Sequence, residues 1–356
     1  MTAWPDRRIL DLFGIEHPIL LAPMAGPGTA ELAIAVAEAG GLGALPCATI
    51  TPEQARSALD AFRAATSRPV NLNFFCHRKP EDDPQREAAW RARLAPYYRE
   101  LGLDPAMPVA PSNRAPFDDA FCEVVEAYKP EIVSFHFGLP EPRLLDRVKA
   151  TGAKVIASAT TVREARHLEA EGCDAIIAQG AEAGGHRGMF LTADVSSQIG
   201  TFALVPQVVD AVGVPVIAAG GIADARGVVA ALALGASAVQ IGTAFLLSPE
   251  AKIPSQHRRA LETAEADETA ITNIFTGRPA RGIINRLMSE LGRLAPDAPA
   301  FPLAGGALAP LRAETEPVGS RDFMSLWSGQ AARLAKPMPA GDLVRTLAAE
   351  VLAKVR

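Results

Sequence analysis

A chain of 356 residues is long enough for one large core or two ordinary ones, so length alone leaves both arrangements open. Its 35 basic residues stand against 40 acidic ones, a net charge of -5 without a dense basic block, which argues against a nucleic-acid or membrane-surface partner. Cys47, Cys76, Cys122 and Cys173 lie apart with no CxxC spacing, and no apolar run reaches the roughly 18 residues needed to cross a bilayer. The expectation is a soluble, cytoplasmic protein without disulfides and without a metal site.

Short apolar runs predict eight strands, near 19–23, 42–46, 69–75, 131–136, 153–158, 174–178, 214–219 and 237–241. Helix-patterned segments fall between them near 29–39, 52–65, 117–128, 141–150, 161–170, 201–211 and 223–234, several opened by a capping threonine such as Thr51 or Thr161. Strict alternation of strand and helix implies parallel pairing, and unbroken apolar runs imply strands covered on both faces. Eight such units predict a (β/α)8 TIM barrel. The competing doubly wound sheet lacks its marker, because no GxGxxG opens a helix after the first strand; the glycine-rich turns follow the sixth, seventh and eighth instead.

Two segments interrupt the repeat. Residues 76–116 carry a polar helix near 84–101 and a proline-rich stretch, an inserted lid after the third strand. Residues 248–320 read as a small cap or substrate region, leaving 1–247 and 321–356 to the barrel and its packing helices, the last near 321–335 and 340–354. Loops that follow barrel strands emerge at the catalytic face, so both segments are expected above it.

The chemistry concentrates at strand ends. In 214–227 (VPVIAAGGIADARG) a buried strand ends in Gly220 and Gly221 before a helix starting near Asp224, an arrangement of free N–H groups suited to a phosphate. The next strand repeats the device with Gln240, Ile241, Gly242 and Thr243. Opposite, Ala22, Pro23 and Met24 end the first strand with a fixed, uncovered backbone against which a flat ring can lie. Asn71 and Asn73, two apart on one strand, point to the same side, and Gln179 ends the sixth strand. The stretch 178–188 (AQGAEAGGHRG) places His186 inside a glycine cluster, where a proton-exchanging imidazole meets a backbone open to a ligand. His136 ends the fourth strand as an anion-binding or orienting group; His77 is a weaker third. His17 and His167 are expected at the surface.

PILLAPMAG, NLNFFCHR, SFHFG, AQGAEAGGHRG, AAGGIADARG and QIGTAF, in this order over nearly the full chain, resemble the bacterial nitronate monooxygenases, formerly 2-nitropropane dioxygenases. The resemblance implies non-covalently bound FMN, its ring near Ala22, Pro23, Met24, Asn73 and Gln179 and its phosphate on Gly184, Gly221, Gln240, Gly242 and Thr243, with Gly185, Gly220 and Ile241 completing the set. It further implies that His186 takes the α-proton of a nitroalkane, and that the nitronate is oxidised at the flavin with O2 to a carbonyl compound and nitrite. An NAD(P)H-dependent flavin reductase of a quinone or enoyl thioester carries close relatives of these motifs, and a flavin-free barrel acting on a phosphate ligand is a further alternative. One departure stands out: the family lines its pocket with tyrosines and a lysine, whereas here the last tyrosine is Tyr128 and residues 301–309 hold one aromatic, Phe301, and no lysine. With His257 near where the cap would offer an aromatic, a wider, less polar pocket is expected.

Overall fold

Strands that are buried at nearly every position need cover on both sides, and a closed sheet ringed by helices provides it. The computed structural model describes residues 4–108, 112, 114–263 and 267–355. Its barrel strands are β1 (Ile19–Leu21), β2 (Gly43–Pro46), β3 (Val70–Phe75), β4 (Ile132–His136), β5 (Lys154–Ala159) and β6 (Ala175–Gln179); the two-residue β7 (Gly185–His186) stands apart, and β8 (Val216–Ala219) and β9 (Ala238–Ile241) complete the set. All pair in parallel in the order β1-β9-β8-β6-β5-β4-β3-β2. A bridge between Leu20 and Leu42, with Leu21 N–H donating to Leu42 O at 2.9 Å, joins the two ends. This is the expected (β/α)8 barrel.

After α1 (Arg8–Phe13), the outer ring comprises α2 (Ala30–Glu38), α3 (Pro52–Ala65), α5 (Asp119–Tyr128), α6 (Pro142–Ala150), α7 (Val162–Ala170), α8 (Thr201–Val209) and α9 (Ala225–Ala233), while α4 (Pro84–Glu100) lies in the insertion. Local chemistry starts these helices: Thr29, Asp118 and Thr161 each accept from an N–H in the first turn, and Thr51 forms a reciprocal capping box with Gln54. The final α13 (Ala340–Lys354) packs against α2 and α9 and closes the ring. Gly341 permits that approach, since a Cβ there would stand 3.2 Å from Ala35 O.

Above the barrel sit α10 (Ser255–Glu262), β10 (Thr269–Thr272), β11 (Ala280–Ile283), α11 (Arg286–Leu291) and α12 (Ala309–Thr315). β10, β11 and β7 form an antiparallel sheet in which Ala280 faces His186 and Arg281 faces Gly185. A second apolar core joins α4 to this layer through Trp90, Leu94, Tyr97 and Tyr98 against Ile274, Phe275, Leu287, Leu308 and Phe323. Lid and upper layer thus share one core.

The helix expected over 321–335 does not form. Ile283 N–H donates to Leu326 O at 2.8 Å, Ser328 N–H donates to Arg281 O at 3.3 Å, and Gly282 bridges Trp327, so the segment runs extended beside β11 with only a short 3-10 turn at Ala332–Leu334. Pairing with a strand edge outweighs a weak helical pattern interrupted by Gly329. His17 also departs from expectation: it is half-buried, edge-on to Trp4 at 5.8 Å. His167 is exposed on α7 as expected.

Candidate active site

The carboxyl ends of the barrel strands converge on one mouth. At β8, Gly220 (φ 115°) and Gly221 (φ 70°) turn in the left-handed region, where glycine carries no penalty. A Cβ on Gly220 would stand 2.9 Å from both Ala183 N and Thr201 Oγ1, so the turn is also sterically closed to larger residues. Among the described residues, the N–H groups of Gly221 and Gly242 have no acceptor. The N-terminus of α9, expected to join them, is already occupied: Asp224 accepts from Arg226 N and Gly227 N. The backbone donors left free at this side of the mouth are therefore at the Gly220–Gly221 turn and the end of β9, while the first turn of the helix is capped.

Thr243 Oγ1 accepts from Gly329 N–H at 2.9 Å, which orients the hydroxyl. Gly329 arrives on the extended segment after Trp327 and presses on Gly184, where a Cβ would lie 2.5 Å from Gly329 N. Gly185 (φ 71°) has nothing within 4 Å of an added Cβ and borders open space. Glu182, between the two glycine motifs, accepts from Thr201 N and Oγ1 and so caps α8.

Across the mouth, the ends of β1 and β9 meet. A Cβ on Gly242 would stand 3.3 Å from Ala22 Cβ and 3.6 Å from Met24 Sδ, and Ala22, Pro23 and Met24 are half-buried. Ile241 packs its side chain into the barrel core, leaving its backbone as its offering. Asn73 donates to Ser134 Oγ at 2.9 Å. Among the described residues, two enclosed acceptors, Asn71 Oδ1 and Gln240 Oε1, have no partner. Buried amide oxygens without donors point to a bound molecule that brings them.

His186 reaches the mouth on β7, its Nε2 2.9 Å from Thr276 Oγ1. The rings of Phe75, Phe137, Phe301 and Trp327 surround it at 6.0, 5.8, 5.3 and 5.5 Å between centroids. Burial, and then the charges of Arg114, His136, Arg278 and His77, hold its pKa well below 6.5, so the ring is neutral at pH 7. Its backbone carbonyl accepts from His136 Nε2 at 3.1 Å and Gln179 Nε2 at 3.0 Å. Facing a carbonyl, His136 Nε2 carries the proton, so its Nδ1 accepts from Ser158 Oγ at 3.1 Å, an assignment made from the network. Both nitrogens of His136 are thus engaged, one of them on the His186 backbone, and burial pushes its pKa to about 3. Gln179 is likewise committed: its Oε1 accepts from Gly188 N at 2.7 Å, leaving one N–H for a ligand.

Residues without a local signature complete this side. Thr276 lies in the stretch ITNIFTGR (271–278), and Trp327 and Gly329 sit where a helix is expected. His77, pushed to about 4 by burial and Arg278, stands edge-on to Phe301 at 4.7 Å. Phe301 closes on it and on His186, so the rings on this side pack against one another. The tyrosines are engaged elsewhere, Tyr98 donating to Ala307 O at 2.6 Å and Tyr128 to Asp60 at 2.8 Å, with Tyr97 in the second core. His257 is buried and bonded to Trp327 O at 3.0 Å, beneath the ring that flanks His186.

The nitronate monooxygenase family model matches residues 6–350. A nitronate monooxygenase of Pseudomonas aeruginosa is 41% identical over 97% of this chain and 99% of its own, and one of Paraburkholderia phytofirmans is 42% identical over 97% and 95%. Among solved structures, a nitroalkane oxidase from Streptomyces ansochromogenes superposes with a TM-score of 0.88 at 38% identity, covering 98% of this chain and 99% of that one. FabK from Thermotoga maritima superposes at 0.73 with 30% identity, covering 99% and 98%. With a family match over nearly its whole length and this barrel beneath it, the chain belongs to the nitronate monooxygenase family, whose members are flavin-dependent oxidoreductases.

Proposed function

We propose that the protein oxidises alkyl nitronates with O2, using FMN, to a carbonyl compound and nitrite. The observation that carries this reading is a neutral, half-buried imidazole, His186, anchored at the rim of a mouth whose other rim offers free peptide N–H groups and the unpartnered Gln240 amide oxygen. These residues fit FMN. The phosphate would lie on Gly184, Gly221, Gly242 and Thr243 with Gly185 and Gly220 shaping the turns, and the ring along Ala22, Pro23 and Met24, with Asn73, Gln179, Gln240 and the Ile241 backbone at its edges. When bound, FMN supplies the electron acceptor.

The chain's own part is proton transfer and exclusion of water. His186 removes the α-proton of a neutral nitroalkane, and its imidazolium then faces the nitronate anion. Phe75, Phe137, Phe301 and Trp327 keep water from the pair, which strengthens their attraction. Residues 248–320 act as the cap that carries Phe301 and Thr276. The apolar wall favours nitroalkanes with apolar substituents.

The test is anaerobic mixing of yellow holoprotein with a nitronate, and separately with NADH and NADPH, followed by nitrite assay in air. Rapid bleaching by the nitronate is expected, with nitrite formed in air. Rapid bleaching by NADH, with none by any nitronate, would replace this reading with an NAD(P)H-dependent reductase.

A further inference from the structure

We propose that Thr276 is a positioning residue that fixes the tautomer of His186, placing the proton on Nε2 and leaving Nδ1 as the base. The proposal rests on the reading of His186 as the proton acceptor.

A hydroxyl has one proton to give and two lone pairs to share. Thr276, 3% exposed, has three neighbours for those three capacities. Its proton goes to the Arg278 carbonyl at 3.4 Å, one lone pair accepts from the Arg278 N–H at 3.4 Å, and the other faces His186 Nε2 at 2.9 Å. With its proton committed to the carbonyl, Thr276 meets Nε2 only as an acceptor, so Nε2 carries the hydrogen. A neutral imidazole holds one proton, and Nδ1 is therefore the nitrogen with the free lone pair.

Neutral is the form that matters, because burial and two guanidinium groups, Arg114 in the insertion and Arg278 between β10 and β11, all disfavour the imidazolium. His136 at the end of β4 and His77 after β3 also face the ring and would add a like charge only if they were protonated. The ring is also held in place, since the two hydrogen bonds to the His186 carbonyl and its pairing with Ala280 fix the backbone beneath it. When Nδ1 takes a proton, the Nε2–H remains on Thr276, and that bond strengthens as the ring becomes cationic. The other tautomer would place the basic lone pair on Nε2, against the Thr276 hydroxyl.

The test combines two-bond proton–nitrogen spectra of 15N-histidine-labelled holoprotein with turnover by Thr276→Val and Thr276→Ser, His186→Asn identifying the His186 signals. Wild type and Thr276→Ser should show the Nε2–H pattern and similar kcat. Thr276→Val should show mixed tautomers and lose on the order of tenfold or more in kcat on a neutral nitroalkane, with KM and turnover of pre-ionised nitronate little changed. An Nδ1–H pattern in wild type overturns the proposal whatever the variants do, as does a Thr276→Val protein that keeps both pattern and kcat. Undiminished turnover of the neutral substrate by His186→Asn would instead overturn the functional reading; impaired His186→Asn beside normal Thr276→Val would remove Thr276 alone.

Discussion

The two rims of the barrel mouth are built from different materials. One rim, at the ends of β8, β9 and β1, is built from backbone: Gly221 and Gly242 present peptide N–H groups that have no partner among the described residues. The opposite rim works through side chains gathered from distant parts of the chain, with His186 on β7, Thr276 after β10, Phe75 on β3 and Trp327 in the segment beside β11. A backbone site depends on conformation and tolerates few shapes but does not titrate. A side-chain site depends on juxtaposition and on protonation state, so the two rims should fail in different ways.

The largest expected effect lies on the side-chain rim. His186→Asn should lower kcat on a neutral nitroalkane by about 10²-fold or more, the usual share of general base catalysis, while flavin content stays at the wild-type level. Supplying the ionised nitronate should recover part of the loss, because the proton has already left. In the wild type the acid limb of kcat/KM should fall well below pH 6.5, since burial first, and then the nearby Arg114 and Arg278 guanidiniums, keep the ring deprotonated. Loss of flavin from His186→Asn would show that the two rims are not separable.

Acid should also act on stability through that rim and the layer beneath it. His77 and His257 are pushed to about 4 and His136 to about 3, chiefly by burial. In the unfolded chain each titrates near 6.5, so as pH falls below that value the unfolded state binds protons that the folded state refuses. Stability is therefore lost as pH drops from about 6.5 toward the folded values, by up to about 1.4 kcal/mol per unit for each histidine. Thermal melts from pH 7.5 to 4.5 should show the decline, and His257→Gln, away from the mouth, should flatten it. A Tm constant between pH 7 and 5 contradicts the assignment.

The backbone rim is sharpened by a charge at constant shape. Asp and Asn tolerate the left-handed conformation of Gly221 better than other side chains, so both variants should fold. Gly221→Asp sets a carboxylate beside the proposed phosphate and should weaken flavin binding at least about tenfold more than Gly221→Asn, equivalent to roughly 1.4 kcal/mol. Equal retention of flavin by the two would move the phosphate away from Gly221.

The contrast between the rims also explains how much was legible in the sequence. The barrel, its eight strands and most helix starts are written locally, in apolar runs and capping threonines such as Thr51 and Thr161. The glycine turns are equally local, because positive φ at Gly220 and Gly221 selects glycine wherever the chain goes next. Nothing local marks Thr276 as the partner of a histidine 90 residues earlier, or turns 321–335 from a helix into a strand neighbour. Both are products of tertiary pairing with β11. The expected role of the α9 terminus failed for a local reason that could have been read: Asp224, the residue at its start, caps it.

The smallest expected effect separates charge from shape on the side-chain rim. The Arg278 guanidinium lies 3.9 Å from the centre of the Phe137 ring and donates to Met189 O, while Phe137 itself sits at φ 72°, a conformation that a bulky residue adopts only when its surroundings hold it there. Arg278→Lys keeps the positive charge but loses the flat stack, and should cost about 0.5–1 kcal/mol of stability. Because the charge near His186 survives, the acid limb of kcat/KM should stay where it is. Arg278→Gln removes the charge as well, so the imidazolium becomes less unfavourable and the limb should move to higher pH. Displacement of the limb by both variants alike would mean that Arg278 acts on His186 through the packing of Phe137 and not through its charge.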